Sequence, residues 1–147
     1  MGTNPTDVDR SVLSISPFFI VKDLQVSIAH YVERFGFQVD FQGPPDDVYY
    51  AGVSRDGIGI MLKTILPDVL PQPNHTRHPW ARWDAHIITR DPDALFEEFS
   101  QRGASFVKTL SFIDDGLWGF EVSDADRYVI AVFHLRDKTE TLPGVAS

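Results

Sequence analysis

The sequence contains no cysteine among its 147 residues. This excludes disulfides, thiolate catalysis and every zinc or iron–sulfur site that needs cysteine ligands. Basic residues are also scarce, with 13 Lys and Arg against 21 Asp and Glu, a formal net charge of -8. A chain this acidic repels a polyphosphate backbone and attracts small cations, so nucleic acid and anionic membranes are poor partners.

Long apolar runs are absent as well. No stretch approaches the roughly 20 apolar residues that a membrane-spanning helix needs. Residues 1–10 include Asp7 and Asp9 and lack the apolar segment of a secretory signal, so we expect a cytoplasmic protein. The apolar share of 43% in 147 residues is enough for one compact domain with a real core.

The first half of the chain predicts a strand, a helix and three further strands. Residues 15–21 are almost wholly apolar, as expected of a buried strand. Asp23 is placed to cap a helix and Gly36 to end it, and apolar residues recur between them at steps of three and four. The three following strands are predicted at residues 37–41, 48–54 and 58–63.

The second half repeats that order. A strand is predicted at residues 84–89, Asp91 and Pro92 begin a second helix, and Gly103 ends it. Three further strands are predicted at residues 105–110, 118–123 and 128–135. Between the halves, residues 64–82 contain four prolines, which prevent regular strand pairing and predict a linker or lid.

The repeat indicates an α+β fold of two βαβββ modules within a single domain, residues 1–147. Module one is assigned to residues 14–63, module two to residues 83–136, and a polar tail to residues 137–147. Each module alone would leave one sheet face in water. We therefore expect two curved mixed sheets around a shared cleft, with the helices on the outside.

Five segments carry a family resemblance that covers residues 14–136. They are residues 18–24 together with Ser27 and Tyr31, and residues 35–37, 91–95, 102–104 and 116–128. This pattern resembles the vicinal-oxygen-chelate superfamily, the fold of glyoxalase I, bleomycin-resistance proteins and extradiol dioxygenases. One turn departs from it: residues 124–127 read Asp-Ala-Asp-Arg where the superfamily usually has Asp-Pro-Asp-Gly. A left-handed Arg127 would cost on the order of 1 kcal/mol.

The resemblance implies a divalent metal held by one inward residue from the first and last strand of each module. Those four positions fall on Ser16, Met61, Asp84 and Ala131. Only Asp84 offers a carboxylate, Met61 is a soft thioether, and Ala131 has no donor atom. We therefore expect neither a metal nor another cofactor, with a displaced divalent metal as the alternative.

The metal-free pattern resembles the bleomycin-resistance branch, which binds and sequesters a planar or cationic drug in a cleft between two copies of the chain. This implies a homodimer, a small-molecule ligand and a role in antibiotic resistance. Aromatic walls and nearby carboxylates suit such a ligand. The candidate ligand contacts are Phe18, Tyr50, Met61, Trp83, Asp84, His86 and Trp118.

The rival interpretation is an enzyme, a lyase, isomerase or oxygenase of the glyoxalase or dioxygenase kind. It would use a displaced metal on Asp84 and His86, which share one face of their strand, or His86 as a general base. A structural histidine satisfied by Asp84 is the plainer alternative. Trp118 and Glu121 face opposite sides of a regular strand, and we expect Trp118 to face the cleft, with a core position as the alternative.

The sequence of the linker indicates its function less clearly than the sequences of the two modules do. His75 and His78 lie in a proline-broken segment without a third ligand nearby, which is typical of a surface loop. The functional alternative to a surface loop is that the segment closes over the cleft as a lid or crosses to a partner chain. Trp80 and Trp83 are then either anchors of that lid or a cover for the junction of the two modules.

Overall fold

The computed structural model describes residues 10–114 and 116–135, so the predicted tail lies outside the described residues. Within those ranges the chain forms eight strands and two α-helices. They are β1 (Phe18–Ile20), α1 (Leu24–Phe35), β2 (Gln38–Gly43), β3 (Tyr50–Arg55), β4 (Ile58–Lys63), β5 (Ala85–Ile88), α2 (Pro92–Gln101), β6 (Ser105–Asp114), β7 (Leu117–Ser123) and β8 (Val129–Leu135).

The strands form two four-stranded mixed sheets of identical topology. Sheet one has the order β1-β4-β3-β2 and sheet two the order β5-β8-β7-β6. The first strand of each sheet pairs in parallel with the last strand of its module, and the other pairs are antiparallel. The predicted α+β fold of two βαβββ modules is confirmed.

Both helices begin and end where the sequence predicts. The Asp23 carboxylate accepts a hydrogen bond from the Val26 amide at 3.2 Å, and Asp91 accepts one from the Ala94 amide at 3.0 Å. Such caps satisfy amides that the first helical turn leaves unpaired. Gly36 ends α1 with a φ of 71°, a left-handed conformation that costs glycine little.

Two strands differ from their predicted bounds by three residues or more at one end, and the other strands by no more than two. β1 begins at Phe18 rather than at residue 15, because Pro17 has no amide to donate and contributes only its carbonyl, which accepts from the Met61 amide. β6 continues to Asp114, four residues beyond the prediction. It stays paired with β7 over that length through three register shifts, which a pattern of alternating residues does not reveal.

The helix-facing sides of both sheets share one hydrophobic core. Phe35 of α1 and Phe99 of α2 stack with their ring centroids 5.3 Å apart, so the two modules meet through their helices. Tyr31, fully buried, donates a hydrogen bond to the Asp124 carboxylate across the modules at 2.7 Å. Each helix keeps one stripe of residues exposed to solvent. Neither described helix is long and apolar enough to cross a membrane.

The turn at residues 124–127 is built around the Asp124 carboxylate. Besides the Tyr31 hydroxyl, it accepts hydrogen bonds from the amides of Asp126 and Tyr128, both at 2.9 Å. Arg127 adopts the left-handed conformation, with a φ of 71°, as the sequence departure from glycine implied. The turn therefore keeps its shape and accepts the strain of a non-glycine residue.

Burial raises the pKa of Asp124 to about 7, although its hydrogen bonds oppose that rise. The folded state therefore retains a proton that the unfolded chain releases near its ordinary pKa. We predict that this group makes the free energy of unfolding fall by about 1 kcal/mol per pH unit between roughly pH 4 and pH 7. Urea unfolding across that range measures it. Asp124→Asn should remove this component, and an unchanged pH dependence in that variant would contradict the prediction.

Candidate functional site

Sheet one leaves the side opposite its helix open. Across this side Phe18, Met61, Gly52 and Phe41 lie in register on β1, β4, β3 and β2. Because side chains alternate along a strand, the residues directly before and after each of these four point to the opposite side of the sheet, toward the core. Phe18 is 54% exposed and Phe41 48% exposed, although both are large aromatic residues. We call this side the sheet-one face.

A groove of about 510 Å³ runs along the sheet-one face. Its floor includes Met61 and Gly52, and the lack of a side chain at Gly52 leaves the space in which the ring of Phe41 lies. Tyr50 lies on the same side, with its ring centroid 6.3 Å from that of Phe41. The structure therefore brings the predicted contacts Phe18, Tyr50 and Met61 onto one surface.

One end of this groove is polar. Ser54 donates a hydrogen bond from its hydroxyl to the Asp40 carboxylate at 2.9 Å. Ser16, the first predicted metal position, lies over Gly59, where its Oγ would be 3.3 Å from an added Cβ. All four residues line the groove. An aromatic and apolar trough with one carboxylate at its end suits a flat molecule with a positive charge.

Sheet two has a corresponding open side, which we call the sheet-two face. His86, Ala131 and Glu121 lie in register across it on β5, β8 and β7. Trp83, which directly follows the linker in the sequence, packs over Ala131 and Phe133. The rings of Trp83 and His86 lie 5.8 and 5.4 Å from that of Phe133. Trp83 thus covers part of sheet two.

Glu121 is the functional candidate that the sequence reasoning did not single out. It is only 2% exposed, and its Oε2 has no hydrogen-bond partner. The nearest cationic atom is Nη2 of Arg82, at 3.4 Å. Both residues line a second groove of about 290 Å³, together with His75, Ser123 and Arg127. The signal in the sequence was the alternation along β7, which places Glu121 on the side opposite Trp118.

The expectation that Trp118 faces the cleft is wrong. Trp118 alternates with Phe120 and Val122, which are buried in the shared core. Its indole Nε1 donates a hydrogen bond to Asp93 of α2 at 2.8 Å. The register shifts fall between positions of β6, so β7 keeps its alternation and Trp118 stays on the helix-covered side.

Asp84 also has a different role from the one expected. Its two oxygens accept hydrogen bonds from the amides of Asn74 and Val129, each at 2.8 Å. The carboxylate therefore ties the linker to the beginning of β8 and is not directed at His86. His86 is exposed and contacts the rings of Trp83 and Phe133 instead. Its role as a ligand contact or a base stays a prediction.

The four predicted metal positions do not fit a divalent ion. Met61 and Ala131 bring no oxygen or nitrogen donor. Ser16 precedes β1 of sheet one, whereas Asp84 precedes β5 of sheet two and has both oxygens engaged. A hard cation requires several oxygen or nitrogen ligands together. Nowhere in residues 10–114 and 116–135 do three or more His, Asp or Glu side chains converge in a way that holds a metal.

The second half of the linker lies against sheet two and includes a short 3-10 helix at Asn74–Thr76. His75 lies with its Nε2 2.8 Å from the Arg127 carbonyl oxygen, so it joins the linker to the turn before β8. His78 contacts the ring of Trp80. The two histidines thus have separate neighbours, as a surface loop implies. The two grooves share no lining residue within the single chain.

Comparison with known proteins agrees with this architecture. The family model of the Glyoxalase/Bleomycin resistance protein/Dioxygenase superfamily matches residues 13–132 of the chain. No curated protein matches the chain.

Many solved structures are similar to it, and three of them serve as examples. The bleomycin-binding protein of bleomycin-producing Streptomyces verticillus, complexed with copper(II)-bleomycin, is 22% identical, with 85% of this chain and 98% of that chain covered and a TM-score of 0.62. A glyoxalase-related enzyme from Clostridium phytofermentans is 14% identical, with 86% and 98% covered and a TM-score of 0.67. TioX from Micromonospora sp. ML1 is 18% identical, with 84% and 100% covered and a TM-score of 0.61. These likenesses concern the fold alone.

Proposed function

Because this chain belongs to the glyoxalase/bleomycin resistance protein/dioxygenase superfamily, we propose that it binds and sequesters a small aromatic or cationic molecule on its open sheet faces without a metal. The fold is compatible with that activity, since the similar protein of Streptomyces verticillus binds bleomycin. Fold alone does not determine function, so the proposal is argued from the residues of the two open faces.

The observation that carries the proposal is the exposed aromatic row of the sheet-one face. Phe18 and Phe41 leave about half of their surface in water on either side of Met61. Exposed large apolar groups around a groove commonly mark a binding surface. Phenyl rings and a thioether offer flat, polarisable contacts for a ring system. A groove of about 510 Å³ is large enough for a small organic molecule.

Charge favours a cation among such molecules. The chain has a formal net charge of -8, and Asp40 lines the polar end of the groove. Long-range attraction concentrates cations near an acidic protein, and a carboxylate beside an apolar trough favours a positively charged ring over a neutral one. Binding of this kind needs neither a nucleophile nor a metal.

We further propose that the protein acts as a homodimer. Both open faces keep large apolar side chains exposed in the single chain, among them Phe18, Phe41 and Val107, and the two grooves share no lining residue. A second copy placed across them would cover exposed apolar residues and enclose a ligand between two sheets. Light scattering should give twice the chain mass of 16.6 kDa. A monomer at micromolar concentration would contradict this part of the proposal.

Titration with proflavine, a planar aromatic cation, tests the binding proposal. We expect saturable quenching of its fluorescence by the wild-type protein. Phe18→Ala should weaken binding by roughly 1–3 kcal/mol, the range for loss of a buried aromatic contact. Val26→Ala removes an apolar side chain from the exposed stripe of α1 and serves as the control. Phe41→Ala, which removes the only aromatic side chain among the described residues that line the groove itself, should weaken binding in the same way. Affinities of the Phe18 and Phe41 variants that both equal that of the wild type would exclude the sheet-one face as the binding site.

A further inference from the structure

The groove of sheet two contains a buried glutamate whose carboxylate has few hydrogen-bond and ion-pair partners within the chain. Glu121 has almost no exposed surface, and its Oε2 accepts no hydrogen bond. A buried carboxylate without full pairing is costly, because it has lost its water shell. The attraction of Arg82 at 3.4 Å offsets that cost only in part.

A second acid in the same chain shows what complete pairing looks like. Glu98 accepts two hydrogen bonds from Arg55, at 2.7 and 2.8 Å, and one from Arg102 at 2.7 Å. These bonds, those of Arg55 foremost, lower the pKa of Glu98 to about 2. Yet the Glu98 side chain is 32% exposed and needs such support less than Glu121 does. We conclude that Glu98 has a structural role, and that the carboxylate of Glu121 can still accept a hydrogen bond from another donor.

Arg82 is held loosely. Its other close contacts are the Ile113 carbonyl oxygen, 3.3 Å from Nη2, and the ring of Trp83, 5.6 Å from the guanidinium carbon. None is as short as the arginine contacts to Glu98. The side chain is 45% exposed and lies at the end of the linker. Its guanidinium can therefore move into water without leaving a buried charge of its own.

We propose that Glu121 is the ligand-recognising carboxylate of the sheet-two groove, and that Arg82 is a resident cation which the protonated amine of a ligand displaces. The inference rests on the proposed function and specifies which group of a cationic ligand enters the protein. The ammonium group reaches Glu121, and its apolar body lies along Val107 and Val129, which line the same groove.

The size and charge of the groove favour a primary ammonium group over other ions. Ammonium is compact and has three donors, so it can approach Oε2 more closely than the planar guanidinium of Arg82, which lies at 3.4 Å. An anion would place its charge beside a buried carboxylate. The volume of about 290 Å³ limits the ligand, or the part of it that enters, to roughly one ring with a short amine arm.

The test uses benzylamine hydrochloride as the cationic probe and benzyl alcohol as its neutral counterpart. Binding is followed through the side-chain carboxyl carbon of Glu121 by NMR and through the intrinsic tryptophan fluorescence, to which Trp83 beside the groove contributes. Three variants are compared with the wild type. Arg82→Met removes the resident cation but keeps an apolar stem beside Trp83, Glu121→Gln removes the acid, and Glu97→Gln changes an exposed acid on α2 as the control.

We expect Arg82→Met to bind benzylamine at least roughly tenfold more tightly than the wild type, because the resident cation no longer competes. Glu121→Gln should lose most of that binding, Glu97→Gln should match the wild type, and benzyl alcohol should bind weakly to all. Equal or weaker benzylamine binding by the Arg82 variant, or benzylamine binding that survives in Glu121→Gln, would overturn the inference. If Glu121→Gln does not fold, the Arg82 comparison decides alone.

The proflavine titration separates this inference from the function on which it rests. Proflavine binding that depends on Phe18, together with an Arg82 variant that gains nothing for benzylamine, leaves the proposed function standing and removes the role of Glu121. Loss of proflavine binding in both Phe18→Ala and Glu121→Gln places the ligand across both faces. No binding of proflavine by the wild type removes the proposed function itself.

Discussion

The alternation of side chains across two sheets is the constraint on which the rest of this structure depends. One side of each sheet is committed to a core that both modules share, with Phe35 stacked on Phe99 at its centre. Every residue between the buried positions must then face the other way, whatever its chemistry. The open faces and the groups exposed on them are therefore consequences of how the core is packed.

That constraint explains why two similar grooves differ in chemistry. On sheet one it exposes phenyl rings and a thioether, with Asp40 at the polar end. On sheet two it buries Glu121 beneath the linker, beside a loosely held arginine. The first surface suits the flat body of a ligand, and the second suits its positive charge. The four predicted metal positions do not combine into a set of oxygen and nitrogen donors that would hold a divalent ion.

Sequence reasoning was reliable where the signal is local and failed where neighbours decide. Asp23, Gly36, Asp91 and Gly103 mark helix ends through chemistry within a few residues, and the repeated order of elements then follows. Trp118 was placed in the cleft because tryptophan suits a ring-binding site. Which of the two sides of β7 faces α2 depends on how the sheet packs against that helix, and the alternation along β7 does not by itself distinguish the two sides.

Asp84 shows the same limit in another form. From the sequence, the Asp84 carboxylate is a possible metal or ligand contact. In the structure it accepts hydrogen bonds from two backbone amides, one from the linker and one from β8. Glu121 shows the converse, since the alternation along β7 indicates which side of the strand it lies on but not that its side chain is buried there. Its burial under Arg82 depends on the path of the linker, which the prolines between residues 64 and 82 leave unspecified.

The most direct measurement of the central claim is the affinity for proflavine before and after exhaustive chelation, with the metal content of the same sample determined. The account predicts that affinity is unchanged and that the purified protein contains no stoichiometric divalent ion. Binding that disappears on chelation and returns with nickel, zinc, iron or manganese would contradict it.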